Sequence, residues 1–210
     1  MVVGNFQGAR PPSQWAMENT RVQRALGITA QQYDAYRVSV GQIESGNNPN
    51  MGPGGAGGHY WGMYQFGAAA TAETNRLLGE NISRQQFRGN QALAERHFDA
   101  LSYANHQSLM RNSARYRAMS PTDRLGVLGY AHNQGAGGAA NWLATGREGR
   151  DAFGTSGAKY FHAILDGLRR IVQFVGDVIG GVIQGIGNAI GSIFNPQQQS
   201  NTGLWSLNGR

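Results

Sequence analysis

Glu44 is the residue whose surroundings best suit it to act as an acid. It closes a helical pattern that sets Tyr33, Tyr36, Val40 and Ile43 on one face, and Ser45, Gly46 and a long Gly-, Asn- and Pro-rich stretch follow at once. A carboxyl at the last turn of a helix meets the negative end of the helix dipole, and apolar backing favours its uncharged form. A general acid needs that state, because it must hold a proton near neutrality and give it to a leaving oxygen, as in glycoside cleavage. A lone Glu in this position is more often a solvated helix end. Two further stretches set this one apart: the aromatic turn Tyr60-Trp61-Gly62-Met63-Tyr64-Gln65-Phe66, and Ala131-His132-Asn133-Gln134-Gly135. Gln65 and Asn133 carry amides that both donate and accept, as recognition of hydroxyl and acetamido groups requires. Met63, Tyr64 and Phe66 supply an apolar wall, Ser45 a hydroxyl beside the acid, and Tyr60, Trp61 and Trp142 are candidate faces for a sugar ring.

Taken in order, Glu44-Ser45-Gly46, Gly62-Met63-Tyr64-Gln65-Phe66 and Ala131-His132-Asn133-Gln134-Gly135 resemble the three signatures of the lysozyme-like lytic transglycosylases, roughly E-S-G, G-L-M-Q-F and A-Y-N-x-G. The resemblance covers about residues 30 to 165. It implies an all-α, lysozyme-like domain, a peptidoglycan glycan as substrate and Glu44 as catalytic acid and base. It also implies substrate-binding roles for Ser45, Met63, Tyr64, Gln65, Phe66, His132 and Asn133, and no cofactor. The chain departs from the pattern twice. Met63-Tyr64 stands for the family's Leu-Met, and His132 stands for the tyrosine of A-Y-N.

With acidic residues only 12 in number, a second carboxylate near Glu44 is hard to find; Glu73, Glu80 and Asp99 are the candidates, and none adjoins it in sequence. That favours a one-carboxylate route. In the family this is closure of a 1,6-anhydro ring by the sugar's own C6 hydroxyl; a muramidase-type hydrolysis is the alternative.

The elements that must position these groups read as helices. Ser13 to Leu26 and Thr29 to Ile43 are helical, with Gly27 between them as a C-cap and Thr29 opening a capping box with Gln32. Residues 47–60 are too rich in Gly and Pro for helix or strand. Helix returns over 68–79 with Gly79 as its stop, and from a capping box at Ser83 to about Met110. Ser120-Pro121 opens another helix that carries Ala131-His132-Asn133 near its end. A short helix over Ala139–Thr145 and a last one from Gly157 complete a domain spanning 13–163, behind an N-terminal arm over 1–12.

Composition narrows the partners. The chain has 210 residues, 32 of them Gly, and its net charge of +6 rests on scattered basic residues, almost all Arg. A basic surface suits an anionic polymer such as the bacterial envelope, while the lack of any Lys/Arg run argues against a specific nucleic-acid partner. There is no cysteine, and the histidines show no metal-ligand spacing. The N-terminus lacks a basic region followed by an apolar run. A wall-cleaving enzyme of this kind is then expected to reach its substrate with a virus particle or through a separate pore protein.

The C-terminal part differs in kind. Over 164–194 apolar residues recur at helical spacing, charge gives way to Gly, and small residues pair at Gly176/Gly180, Gly181/Gly185 and Gly187/Gly191. This long Gly-rich amphipathic helix is expected to meet a membrane, to bundle with copies of itself or a virion protein, or to cover the domain. A polar tail over 195–210 follows, with Trp205 near its end. The rival to an enzyme is a structural or membrane-penetrating protein whose lysozyme-like domain only binds glycan.

Overall fold

The computed structural model describes residues 20–55, 57–151 and 154–171, with Gln173, Asp177 and Gln184 as single positions. Its helices are α1 (Arg21–Leu26), α2 (Ala30–Ser45), α3 (Ala68–Leu78), α4 (Gln91–Asn112), α5 (Ala114–Ala118), α6 (Pro121–Thr145) and α7 (157–171), with a 3-10 turn at Arg84–Phe87. Among the described residues there is no strand; isolated bridges pair Gly54 with Tyr60, Trp61 with Phe66 and Arg150 with Ser156. The domain is all-α.

Local chemistry starts and stops these helices. Thr20 and Thr29 close capping boxes with Gln23 and Gln32, and Ser120 accepts from the Asp123 amide with Pro121 in the first turn. Gly46 ends α2 in the left-handed conformation, φ 65°, so the chain turns sharply one residue past Ser45. The apolar pattern expected to run unbroken from Ser83 divides instead. The capping box at Ser83 starts only the 3-10 turn; Gly89 then adopts φ 76° and Asn90 caps α4 afresh by accepting from the Leu93 amide. Likewise α6 bends at Gly135 (φ 71°, ψ 166°), just past His132 and Asn133.

Helix α4 runs through the middle, burying Phe98, Ala94 and Leu109 among Tyr36, Tyr64, Leu125 and Leu128. Charge is buried there too. Arg37 of α2 lies between Asp34 at 2.6 Å and Glu95 of α4 at 3.3 Å, which ties the two helices where Tyr64 stacks on Phe98 at 4.1 Å. Asp99 accepts from the Arg21 and Val22 amides at 3.1 Å each, capping α1 from α4.

Helix α7 seats closely on α6. A side chain at Gly129 would overlap Ile164, and one at Gly126 would come within 2.7 Å of the Phe161 ring. The apolar stripe from residue 164 therefore begins inside the domain: Ile164 and Leu168 are buried in its core. Chain contacts divide the protein into Met1–Ile171 and Val172–Arg210. The arm over 1–12, the start of the Ser13 helix, most of 172–194 and the tail over 195–210 lie outside the described residues. No helix among the described residues is long and apolar enough to cross a membrane.

Candidate active site

The three sequence stretches meet at one imidazole. Glu44 lies in the last turn of α2, with its side chain 16% exposed and no basic residue in that turn. His132, from α6, places Nε2 3.4 Å from Glu44 Oε1 and 3.0 Å from the Tyr64 carbonyl oxygen. A carbonyl can only accept, so Nε2 donates to it, and Nδ1 lies on the other side of the ring. That Nδ1 is buried and has no hydrogen-bond partner. The ring is held by Phe66 and Phe98, at centroid distances of 6.3 and 5.5 Å.

A tyrosine hydroxyl reaches the acid from α7. Tyr160, 2% exposed, donates its O–H to Glu44 Oε1 at 2.9 Å. Burial pushes the phenol well above its ordinary value, and the neighbouring Glu44 carboxylate adds to this, so Tyr160 stays a donor throughout the working pH range. The Asn133 amide donates to Asp151 Oδ2 at 3.0 Å. Asp151 Oδ1 accepts from the Thr155 amide at 2.8 Å, which fixes the turn leading into α7. Asp151 and Asn133 thus hold the end of α6 to the turn before α7, the helix that carries Tyr160 to Glu44. Oε1 is thus engaged, and no described side chain bonds Oε2, the oxygen left to exchange a proton with a ligand.

The remaining expected site residues divide between lining and support. Ser45 Oγ donates to the Met63 carbonyl at 2.8 Å and accepts from the Asn48 amide at 3.1 Å, so it pins the aromatic turn to the end of α2. Met63, Tyr64 and Phe66 are buried to 1%, 0% and 1% exposure and form the wall behind His132. Gln65 takes φ 47° and donates from Nε2 to the Gly62 carbonyl at 2.9 Å, which closes the turn and sets its side chain at the edge of the cleft. Tyr60 is 39% exposed beside it. Trp142 stacks flat on Tyr130 at 4.4 Å and meets Phe161 edge-on, which makes it packing between α6 and α7.

The candidate second carboxylates are committed elsewhere. Glu73 pairs with Arg76, Glu80 with Arg96 and His97, and Asp99 with the start of α1. Tyr160 and Asp151 were not singled out by the sequence. The helical start at Gly157 was legible, but nothing local marks which of its side chains meets a residue 116 positions earlier. Among the described residues, no three His, Asp or Glu side chains group as metal ligands. The chain matches no family model, no curated protein and no solved structure.

Proposed function

We propose that this protein cleaves the β-1,4 bond between N-acetylmuramic acid and N-acetylglucosamine in peptidoglycan, as a lytic transglycosylase on a lysozyme-like fold. The observation that carries this reading is the setting of Glu44. It is a partly buried carboxyl with one oxygen held by a tyrosine hydroxyl, the other unbonded, and no arginine or lysine ion pair among the described residues.

In the first half of the reaction Glu44, protonated on Oε2, gives its proton to the leaving O4 as the C1–O bond breaks. The acetamido oxygen of the same sugar shields the positive charge that develops at C1. In the second half the Glu44 carboxylate takes the proton of the C6 hydroxyl as O6 bonds to C1, which restores the acid and leaves a 1,6-anhydro sugar. Tyr160 steadies the carboxylate between the two halves, and His132 holds the Tyr64 backbone against it. Hydrolysis would need a second carboxylate to activate water, and Asp151 already uses both oxygens on Asn133 and Thr155.

The proposal extends to delivery. The chain would act as a virion component that opens the wall during genome entry, with 164–194 engaging a membrane, a virion protein or a sister chain. A non-catalytic glycan-binding protein is the second reading, favoured by His132 at the family's tyrosine position. Digestion of purified peptidoglycan by the wild type and by Glu44→Gln, read by mass spectrometry, separates these. Muropeptides one water lighter than hydrolytic products, absent with the variant, are the expected result. Ordinary reducing ends would make the enzyme a hydrolase, and binding without release would make it a structural protein.

A further inference from the structure

Elsewhere in the fold arginines meet carboxylates: Arg37 faces Asp34 and Glu95, Arg76 faces Glu73, Arg96 faces Glu80 and Arg169 faces Asp166. The corner where α4, α5 and α6 meet is different. Residues 111–124 set Arg111, Arg115, Arg117 and Arg124 against a single acid, Asp123, so this short stretch carries half of the chain's net charge of +6. Asp123 is committed to starting α6: its Oδ2 accepts from the Ser120 hydroxyl at 2.8 Å, and its amide donates to the same serine oxygen at 3.1 Å. None of the four guanidiniums pairs with a carboxylate among the described residues.

Backbone carbonyls hold three of these side chains by one edge. Arg117 Nη1 donates to the Met110 and Arg111 carbonyls at 2.9 and 3.3 Å, which closes the end of α4. Arg124 Nε donates to the Tyr116 carbonyl at 3.1 Å and Nη2 to that of Arg117, which closes α5. Arg115 Nη1 donates to the Leu143 carbonyl near the end of α6. Closing helix ends takes donors, but at exposed positions water or a neutral amide serves, so capping leaves the excess charge unexplained. Arg111 is exposed and its side chain bonds no described group. The Nε and Nη2 edges of the exposed Arg115 and Arg117 also make no bond among the described residues. Such an edge is a fork that fits two oxygens of a phosphate, and anchoring the other edge lowers the entropy lost when the fork is filled.

We propose that this corner docks the folded domain on an anionic phospholipid surface, with the open guanidinium edges on lipid phosphates. Among the arginines lie Ala114, Ala118 and Pro121, exposed, and Met119, half-buried. These small apolar groups suit the boundary between headgroups and acyl chains, whereas a hydrated polymer would leave them uncovered. The one aromatic ring of the stretch, Tyr116, is buried, so no face is offered to a nucleic-acid base. The corner lies outside the apolar stripe over 164–194, and no group of the Glu44 site belongs to it. Along α6, Arg124 stands about 12 Å from His132.

The test is co-sedimentation of the full chain with vesicles of phosphatidylcholine alone and of phosphatidylcholine carrying about one-third phosphatidylglycerol, at roughly 0.1 M salt. An apolar segment adds alike to both vesicles, so the ratio between them isolates charge. Each arginine near an anionic bilayer is worth roughly fivefold in partitioning. Arg111→Gln with Arg115→Gln should therefore weaken binding to the anionic vesicles by roughly twentyfold and leave the neutral ones unchanged. Arg111→Lys with Arg115→Lys keeps the charge and should stay within about threefold of wild type. Arg84→Gln with Arg88→Gln removes the same charge beyond the other end of α4, about 30 Å away and past the screening length, and should also stay within about threefold. Equal binding to both vesicles, no loss from the Arg111 and Arg115 glutamine pair, or an equal loss from the Arg84 and Arg88 pair overturns the assignment. A loss that the lysine pair shares would make these arginines structural and overturns it too. Binding of duplex DNA that is tighter than vesicle binding, and that depends on Arg111 and Arg115, would give the corner to a phosphate polymer instead.

Discussion

Two glutamates in this fold each lie beside a histidine. Glu80 bonds Arg96 at 2.8 Å and His97 Nε2 at 3.0 Å, and His97 Nδ1 meets the Thr74 hydroxyl at 2.7 Å. Burial pushes the Glu80 carboxyl up, but the bonds from His97 and Arg96 outweigh it and hold the group below its ordinary value. Glu44 has one phenol on Oε1, an imidazole at 3.4 Å that is shared with a carbonyl, and no arginine or lysine partner among the described residues. A glutamate beside a histidine thus belongs to a closed ion-pair network in one place and keeps one oxygen unbonded in the other. What separates them is an arginine, together with a saturated histidine. A carboxylate neutralised by a guanidinium gains little by taking a proton, whereas one bonded only to a neutral phenol can exchange it.

Conversion of each glutamate to its amide tests that contrast most harshly. Glu44→Gln is expected to cut peptidoglycan cleavage by roughly a thousandfold or more, because no other group can protonate the leaving oxygen, and to leave urea-unfolding stability nearly unchanged. Glu80→Gln is expected to do the opposite: activity near wild type, with stability lowered by roughly 1–3 kcal/mol as Arg96 and buried His97 lose their charged partner. Comparable losses of activity from both would end the distinction.

The phenol comes next. Tyr160→Phe keeps the ring on α6 and removes the O–H that steadies the carboxylate between the two halves of the reaction. A fall in kcat of roughly ten- to a hundredfold with KM little changed is expected, since one oriented hydrogen bond to a charged group is at stake. An unchanged kcat would make Tyr160 packing only.

That residue also marks the limit of what the sequence tells. Caps and stops were legible because their chemistry is local: Thr29 with Gln32, Ser120 with Pro121, and the glycines after Leu26 and Leu78. The meeting of Glu44, Tyr64 and His132 was legible only through the resemblance of three short motifs. Tyr160 was hidden because its contact depends on α7 docking across Gly126 and Gly129, a close approach that no helical period encodes. The break at Gly89 was hidden for the opposite reason: Phe87, Ala94 and Phe98 keep helical spacing across it, and the apolar pattern masked a single left-handed residue. Ser45 and Tyr64 show the same limit at the scale of one side chain, since motif position alone did not reveal that the serine hydroxyl and the tyrosine carbonyl brace the backbone.

Protonation offers a gentler probe of the locked pair. Burial holds His97 and His106 below the ordinary histidine value. As pH falls through about 6.5 the unfolded chain binds these protons before the folded one does, so stability is lost on the way down and recovered above it. The slope approaches at most about 1.4 kcal/mol per pH unit for each histidine. Thermal midpoints measured between pH 8 and pH 5 should fall, and His97→Gln should flatten the curve. A midpoint that rises on acidification would mean that the Glu80 bond wins over burial at His97.

The smallest effect expected is also the most discriminating, because it acts within the open pair itself. Glutamine can place an amide where His132 Nε2 sits and still donate to the Tyr64 carbonyl, but it lacks an acceptor at the Nδ1 position; asparagine is too short to make that bond. If His132 serves the acid by bracing the Tyr64 backbone, His132→Gln should hold kcat near wild type, while His132→Asn should lower kcat by about tenfold. Neither change should cost the stability that His97→Gln does. A histidine with a buried, unpartnered nitrogen contributes less to folding than one bonded at both ends.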